Sequence, residues 1–393
     1  MSGIAVLALA GAYAVVSESA SAVLLRNHPQ AATMVRPDSG EAAIAAADQS
    51  VSEALTGSEI SQALDSAKHA VRVAPASAAG ARLLAQAYQL TGDEGRAQKL
   101  MEIAGRRSLR DSPSQLWLFR SSLAADQFDD AFTRADLLLR RNSDLEAYLF
   151  PTMIAQLGDV RAQAALLARA RLGPGWRRGF FAVLSQSGEN SDIAPWLLNN
   201  LASSPNPPTP DEIGAVANAQ VAKQRWDAAR AILVRFSRSG GGLLLNDNFE
   251  QPPRQPPFGW RFVSEDAAVS SVESLDAGGH ALFAQFPVGR KAPLAEILMM
   301  LEPGQYRLTG RARVEHLPSG GIFRWRLSCP SEDSDPLLNL DLSVQSGWKP
   351  LQGDFVVPAQ GCGAQWLRLS GTGGEGYQPA SAWFDDLRVQ RLQ

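Results

Sequence analysis

Tyr306-Arg307-Leu308-Thr309-Gly310-Arg311-Ala312-Arg313-Val314 alternates small or apolar residues with polar ones. Leu308, Gly310, Ala312 and Val314 share one phase; Arg307, Thr309, Arg311 and Arg313 share the other. A period of two sends successive side chains to opposite faces of a strand. The pattern recurs downstream. Phe323, Trp325 and Leu327 alternate with Arg324, Arg326 and Ser328. Leu338, Leu340, Leu342 and Val344 alternate with Asn339, Asp341 and Ser343, and Leu367 and Leu369 with Trp366, Arg368 and Ser370. Gly and Pro turns separate the runs. From Leu243 onward the chain therefore reads as all-β, with the apolar phase as a sandwich core.

The polar phase carries the chemistry. If these strands are neighbours, Arg311, Arg313, Arg324, Arg326 and Arg368 gather around Trp366, with Asn339 and Asp341 nearby. A sugar ring stacks on an aromatic plane, and guanidinium groups hold carboxylates bidentately. Such a face suits an acidic polysaccharide. The bland alternative is a solvated outer face whose arginines pair with acids or cover apolar surface.

Upstream the period changes. Residues 42–238 read as helices with a repeat: Ala63, Ala97 and Ala131 recur at an interval of 34 residues. Small residues at such points let helices approach closely, while larger apolar side chains fill the gap to the next pair. Ala63-Leu64, Ala67, Ala70-Val71 and Pro75 resemble the second helix of a tetratricopeptide unit. Leu84-Ala85, Tyr88, Gly92, Ala97, Met101 and Ala104 resemble the next unit, and Phe128, Ala131, Ala135 and Leu138 the one after. Tyr88, Trp117, Phe119 and Tyr148 read as core between these helices. A further pair covers 144–157 and 160–171, its first helix interrupted by Pro151. Helices are also expected over 176–186, 192–201, 211–224 and 226–238. The SRSGGG run at 237–242 marks a flexible joint.

Composition narrows the function. The chain has 393 residues, room for two domains, with 45% hydrophobic and 20% charged residues, as in folded proteins. A net charge of −3 supplies no basic excess for nucleic acid. His28, His69, His280 and His316 are scattered, and no nucleophile elbow, P-loop, zinc motif or dinucleotide fingerprint appears. Asp385-Asp386 should point to opposite faces of a strand, so they make no glycosidase pair. Cys329 and Cys362 are either a disulfide, as export would favour, or two buried thiols. Residues 4–16 (IAVLALAGAYAVV) form an apolar run whose continuation to residue 25 reads as a membrane anchor, a cleaved signal or a buried helix.

Three pieces resemble jelly-roll carbohydrate-binding modules. Asn246-Asp247-Asn248-Phe249-Glu250 is similar to their NGDFE-like opening strand. Leu301-Glu302-Pro303-Gly304-Gln305-Tyr306-Arg307-Leu308 is similar to their PGxYxL strand start, and Trp383-Phe384-Asp385-Asp386-Leu387-Arg388-Val389 to their closing strand. The resemblance implies a galactose-binding-like sandwich with ligand lying across a sheet face. It also implies a structural calcium ion shared by the first and last strands, at Glu250 and Asp385; calcium takes hard oxygen ligands. The sequence departs from the motif at Asp247 and Asn248. No essential cofactor is expected.

The layout expected is a membrane anchor or signal (1–25), a tetratricopeptide-like helical domain (26–238), a Gly-rich linker (239–242) and a β-sandwich (243–393). It resembles anchored repeat proteins encoded with bacterial exopolysaccharide or capsule export systems; Arg26-Asn27-His28-Pro29, Ala32 and Pro37 resemble their lead-in. The resemblance implies a non-catalytic scaffold on the periplasmic face of the inner membrane. Its helical groove would bind a protein of the assembly or export machinery, and its sandwich an acidic polysaccharide. The alternatives are a lyase-like enzyme drawing on His316 and Tyr377, and a purely structural interaction module.

Overall fold

The computed structural model describes residues 17–188, 192–236, 243–251, 256–265, 268–330, 335–343 and 345–392. The apolar run at 4–16, Val344 and the SRSGGG joint lie outside the described residues. No helix among the described residues is long and apolar enough to cross a membrane. The chain forms two compact units, residues 1–170 with 174–176, and residues 171–173 with 177–393.

The first unit is helical. Its helices are α1 (Pro29–Val35), α2 (Gly40–Glu53), α3 (Gly57–Val73), α4 (Ala78–Leu90), α5 (Glu94–Arg107), α6 (Ser112–Ala124), α7 (Phe128–Leu139), α8 (Glu146–Ile154) and α9 (Val160–Ala170). Helix starts follow local chemistry. Thr56 caps α3 in a reciprocal box with Glu59, and Ser77, Asp93 and Asp111 each accept a backbone N–H at the start of α4, α5 and α6. Ala63, Ala97 and Ala131 sit in α3, α5 and α7 and are all 0% exposed, as close helix packing demands. Pro151 lies inside α8 instead of ending it. A turn of 3-10 helix, Ser143–Leu145, leads into α8. The aromatics are less uniformly buried than expected. Phe119 is core and Tyr88 and Trp117 are half-buried, but Tyr148 is exposed. Arg120 Nε donates to its hydroxyl at 2.8 Å.

Among the described residues the second unit joins four helices to a sandwich. The helices are α10 (Arg177–Gln186), α11 (Ile193–Leu201), α12 (Pro210–Ala222) and α13 (Trp226–Phe236). Composition marks a joint between helices and strands at 239–242, yet compactness groups these four helices with the strands. A buried ion pair ties the helices together. Arg177 donates to both carboxylate oxygens of Glu212, at 2.8 and 2.9 Å, and to the carbonyls of Asn206 and Pro207. Glu212 also closes the capping box on Thr209. Against the sandwich, Trp226 rests on Gly363; a Cβ there would meet the indole at 2.7 Å.

Among the described residues eleven strands form two antiparallel sheets. They are β1 (Arg261–Phe262), β2 (Ser264–Glu265), β3 (Ala268–Ser274), β4 (His280–Phe286), β5 (Ala292–Met299), β6 (Gly304–His316), β7 (Ile322–Ser328), β8 (Leu338–Leu342), β9 (Gln345–Val357), β10 (Gln365–Thr372) and β11 (Ala380–Arg391). One sheet has the order β1-β5-β10-β7-β8 and the other β2-β3-β4-β11-β6-β9. The apolar phases meet between them: Phe323, Trp325, Leu327, Leu367, Leu369, Leu308, Ala312 and Phe384 are all buried in one core. Cys329 and Cys362 form a disulfide with a Cα–Cα distance of 5.1 Å.

Candidate functional site

The outer face of the five-stranded sheet gathers six of the eight candidate binding residues. Strand β10 lies between β5 and β7, so Arg368 stands opposite Glu296 on one side and Arg326 on the other. Arg326 in turn faces Asn339 on β8, and Arg261 on β1 faces Glu296. One transverse row thus reads Arg261, Glu296, Arg368, Arg326, Asn339. A neighbouring row carries Ser370, Arg324 and Asp341. Trp366 stands in the row on the other side, opposite Ser328.

Their charges are unevenly matched. Arg324 pairs with Asp341 through two hydrogen bonds, one of 2.7 Å from Nη2. That bond holds the Asp341 carboxyl below its usual pKa. Glu296 serves two cations: Arg261 Nη2 at 2.7 Å and Arg368 Nε at 3.0 Å. The Arg368 guanidinium also lies over the Trp366 ring, 5.1 Å from its centroid. Arg326 is exposed and has no ionic partner among the described residues. Two arginines directly opposite on paired strands repel each other. A cleft of about 470 Å³ opens here, lined by Arg261, Lys291, Glu296, Arg326, Arg368 and Ser370 among others. Among the described residues, four cations and one carboxylate line it, which favours an anion. Glu296, Arg261 and Lys291 escaped the sequence reading. Strand pairing reveals Glu296 and Arg261, and the cleft wall reveals Lys291.

Arg311 and Arg313 are not part of this face. They lie on β6, in the other sheet, where β11 is the neighbour. Their guanidinium groups alternate with aromatic rings. Arg311 lies 4.8 Å from the Trp348 centroid, and Arg313 lies 5.6 Å from Trp348 and 5.3 Å from Trp383. Trp383 in turn packs on Phe283 at 5.0 Å. These arginines have acidic partners: Arg313 with Glu315, and Arg311 with Asp385. Asp386 also reaches Arg311, at 3.2 Å. The opposite-faces expectation for Asp385 and Asp386 thus fails, because the strand bulges there and Asp386 takes a positive φ of 51°.

The two carboxylates aligned with the calcium motif take different partners. Glu250 accepts from the backbone N–H of His280 at 2.7 Å and lies 2.9 Å from its Nδ1. The His280 contacts hold the Glu250 carboxyl below its usual pKa. Asp385 is buried and accepts from Arg311 Nη2 at 2.5 Å and from the Asp386 N–H at 2.7 Å. Among the described residues no group of three or more His, Cys, Asp or Glu could hold a metal ion. His316 ends β6, and Tyr377 is fully exposed in the loop before β11.

No protein-family model matches the sequence, and no curated protein matches it. Solved structures resemble the sandwich part. A family 61 carbohydrate-binding module in complex with β-1,4-galactotriose is 17% identical, over 40% of this chain and 100% of that one, with a TM-score of 0.28. A family 4 module is 13% identical over 38% of this chain and 99% of its own, with a TM-score of 0.29. A xylan-binding family 22 module from Paenibacillus barcinonensis is 13% identical over 37% and 92%, with a TM-score of 0.29.

Proposed function

We propose that the sandwich is a non-catalytic binding module for an acidic glycan, held in the cleft on the five-stranded sheet. One observation carries this reading: Arg326, without an ionic partner among the described residues, faces Arg368 across paired strands. That arrangement costs the fold stability unless an anion sits between the two. Arg261 and Lys291 add charge at the rim, while Asn339 and the hydroxyl of Ser370 suit sugar hydroxyls. The helical first unit is the natural holder of a protein partner, as repeat arrays are. Its exposed Arg120–Tyr148 pair supplies aromatic and guanidinium chemistry of the kind found at interfaces. Together these support a scaffold for polysaccharide assembly or export. The disulfide suits an oxidising compartment such as the periplasm.

The direct test is titration of the whole chain with an acidic and a neutral polymer at two salt concentrations. Binding should favour the acidic polymer and weaken with salt, since the Debye length falls to about 3 Å at 1 M. Arg326→Ala should weaken it by roughly 10- to 100-fold, the worth of a charge-assisted contact. Equal binding by wild type and variant would remove the reading. Unchanged polymer output on deletion of the gene would count against the scaffold role.

A further inference from the structure

A smaller hollow of about 200 Å³ shares Arg261 and Glu296 with the main cleft. Its remaining walls are Trp366 from β10, Pro256, Pro257 and Gly259 from the segment entering β1, and Asn218 from helix α12. The proline wall is tied down. The Leu298 N–H on β5 donates to the Pro257 carbonyl at 3.3 Å, and Leu298 pairs with Trp366. Asn218 Nδ2 donates to the Pro256 carbonyl at 3.1 Å. That bond fixes the amide. Its Oδ1 takes no hydrogen bond from a described residue and remains an acceptor for a hydroxyl.

The volumes and the wall bear on what fits. At about 200 Å³ against about 470 Å³, the hollow is less than half the size of the main cleft, so it suits a smaller part of the glycan than the cleft does. The Arg368 guanidinium lies over the Trp366 ring, 5.1 Å from its centroid, and Trp366 itself lines the hollow, where an aromatic side chain suits a sugar ring. At this end Asn218 of α12, hydrogen-bonded to Pro256, and Pro257 line the hollow beside Trp366.

We infer that helix α12 closes one end of the glycan cleft, so that the site takes the terminal residue of an acidic glycan and not an internal stretch. The last sugar ring lies in the hollow against Trp366, with a hydroxyl on Asn218 Oδ1. The next residues lie in the main cleft, with a carboxylate between Arg326 and Arg368. The inference rests on the acidic-glycan reading above. It makes Asn218 a specificity residue supplied from outside the sandwich.

The experiment is calorimetric titration of the full chain with polygalacturonate, alginate and hyaluronate, each as a polymer and as a short oligomer. End recognition gives one protein bound per glycan chain whatever its length. Internal recognition gives a number that rises with length, and that result overturns the inference. Asn218→Trp fills the hollow and should weaken oligomer binding by roughly tenfold or more with an unchanged melting temperature. Asn218→Leu serves if the tryptophan variant does not fold. A folded variant that binds as wild type also overturns the inference. Arg326→Ala separates the two claims. If it binds normally, or if none of the three uronate polymers binds at all, the acidic-glycan reading fails first.

Discussion

Arg326 and Arg368 face each other on adjacent antiparallel strands, and among the described residues only Arg368 of the two has a carboxylate partner. Like charges so placed lower stability by roughly 0.2–1 kcal/mol. Arg326→Thr should therefore raise the melting temperature slightly while weakening acidic-glycan binding. Melting curves and titrations of the same preparation measure both. A variant that loses stability and keeps binding would show that Arg326 serves the fold.

The Arg324–Asp341 pair beside it predicts a pH effect. The hydrogen bond from Arg324 depresses the Asp341 carboxyl below its ordinary 3.8. A depressed carboxylate contributes stability that is full above its unfolded-state value and is lost as pH falls through its folded value. Asp341→Asn should thus melt below wild type at neutral pH. The gap should close on acidification below about pH 4. A gap unchanged at pH 3 would mean the pair contributes through shape and not charge.

The Cys329–Cys362 disulfide closes a separation of 33 residues. The chain-entropy model assigns such a loop roughly 3–4 kcal/mol. Protein made in an oxidising compartment should show no free thiol after denaturation without reductant. Reduction should lower the melting temperature of the β part and leave the helical first unit unchanged. Two thiols labelled in non-reduced protein would contradict the pairing.

Arg177 and Glu212 are both buried, and each holds the other's charge. Removing one leaves an uncompensated ion, which costs about 3–5 kcal/mol. Arg177→Ala should destabilise the second unit by that order in urea titration. The double change Arg177→Met with Glu212→Leu should recover much of the loss. A mild effect of Arg177→Ala would indicate that water reaches the pair.

The grouping of α10–α13 with the sandwich predicts how fragments behave. A fragment of residues 171–393 should melt in one transition, and one of 243–393 at a lower temperature. Gly363→Val should reproduce much of that loss in the longer fragment, because Trp226 lies against Gly363. If the short fragment melts as high as the long one, the sandwich needs no helix.

The sequence alone determined that a helical part precedes a β-sandwich. Both signals are local: alternation along one strand, and an interval of 34 residues between Ala63, Ala97 and Ala131. Burial enforces each, since a one-residue slip would turn Leu367 or Phe323 outward and expose Arg368 or Arg324 to the core. Strand order is not local, and there only the tertiary structure decided. The placement of β10 between β5 and β7 put Arg368 beside Arg326 and Glu296. The pairing of β6 with β11 carried Arg311 and Arg313 to the other sheet. A strand's own residues set its phase but not its neighbours, because pairing depends on packing between segments far apart in the chain. For the same reason nothing local to Asn218 marked it as a wall of the hollow beside Trp366. That role exists only because α12 lies beside Pro256.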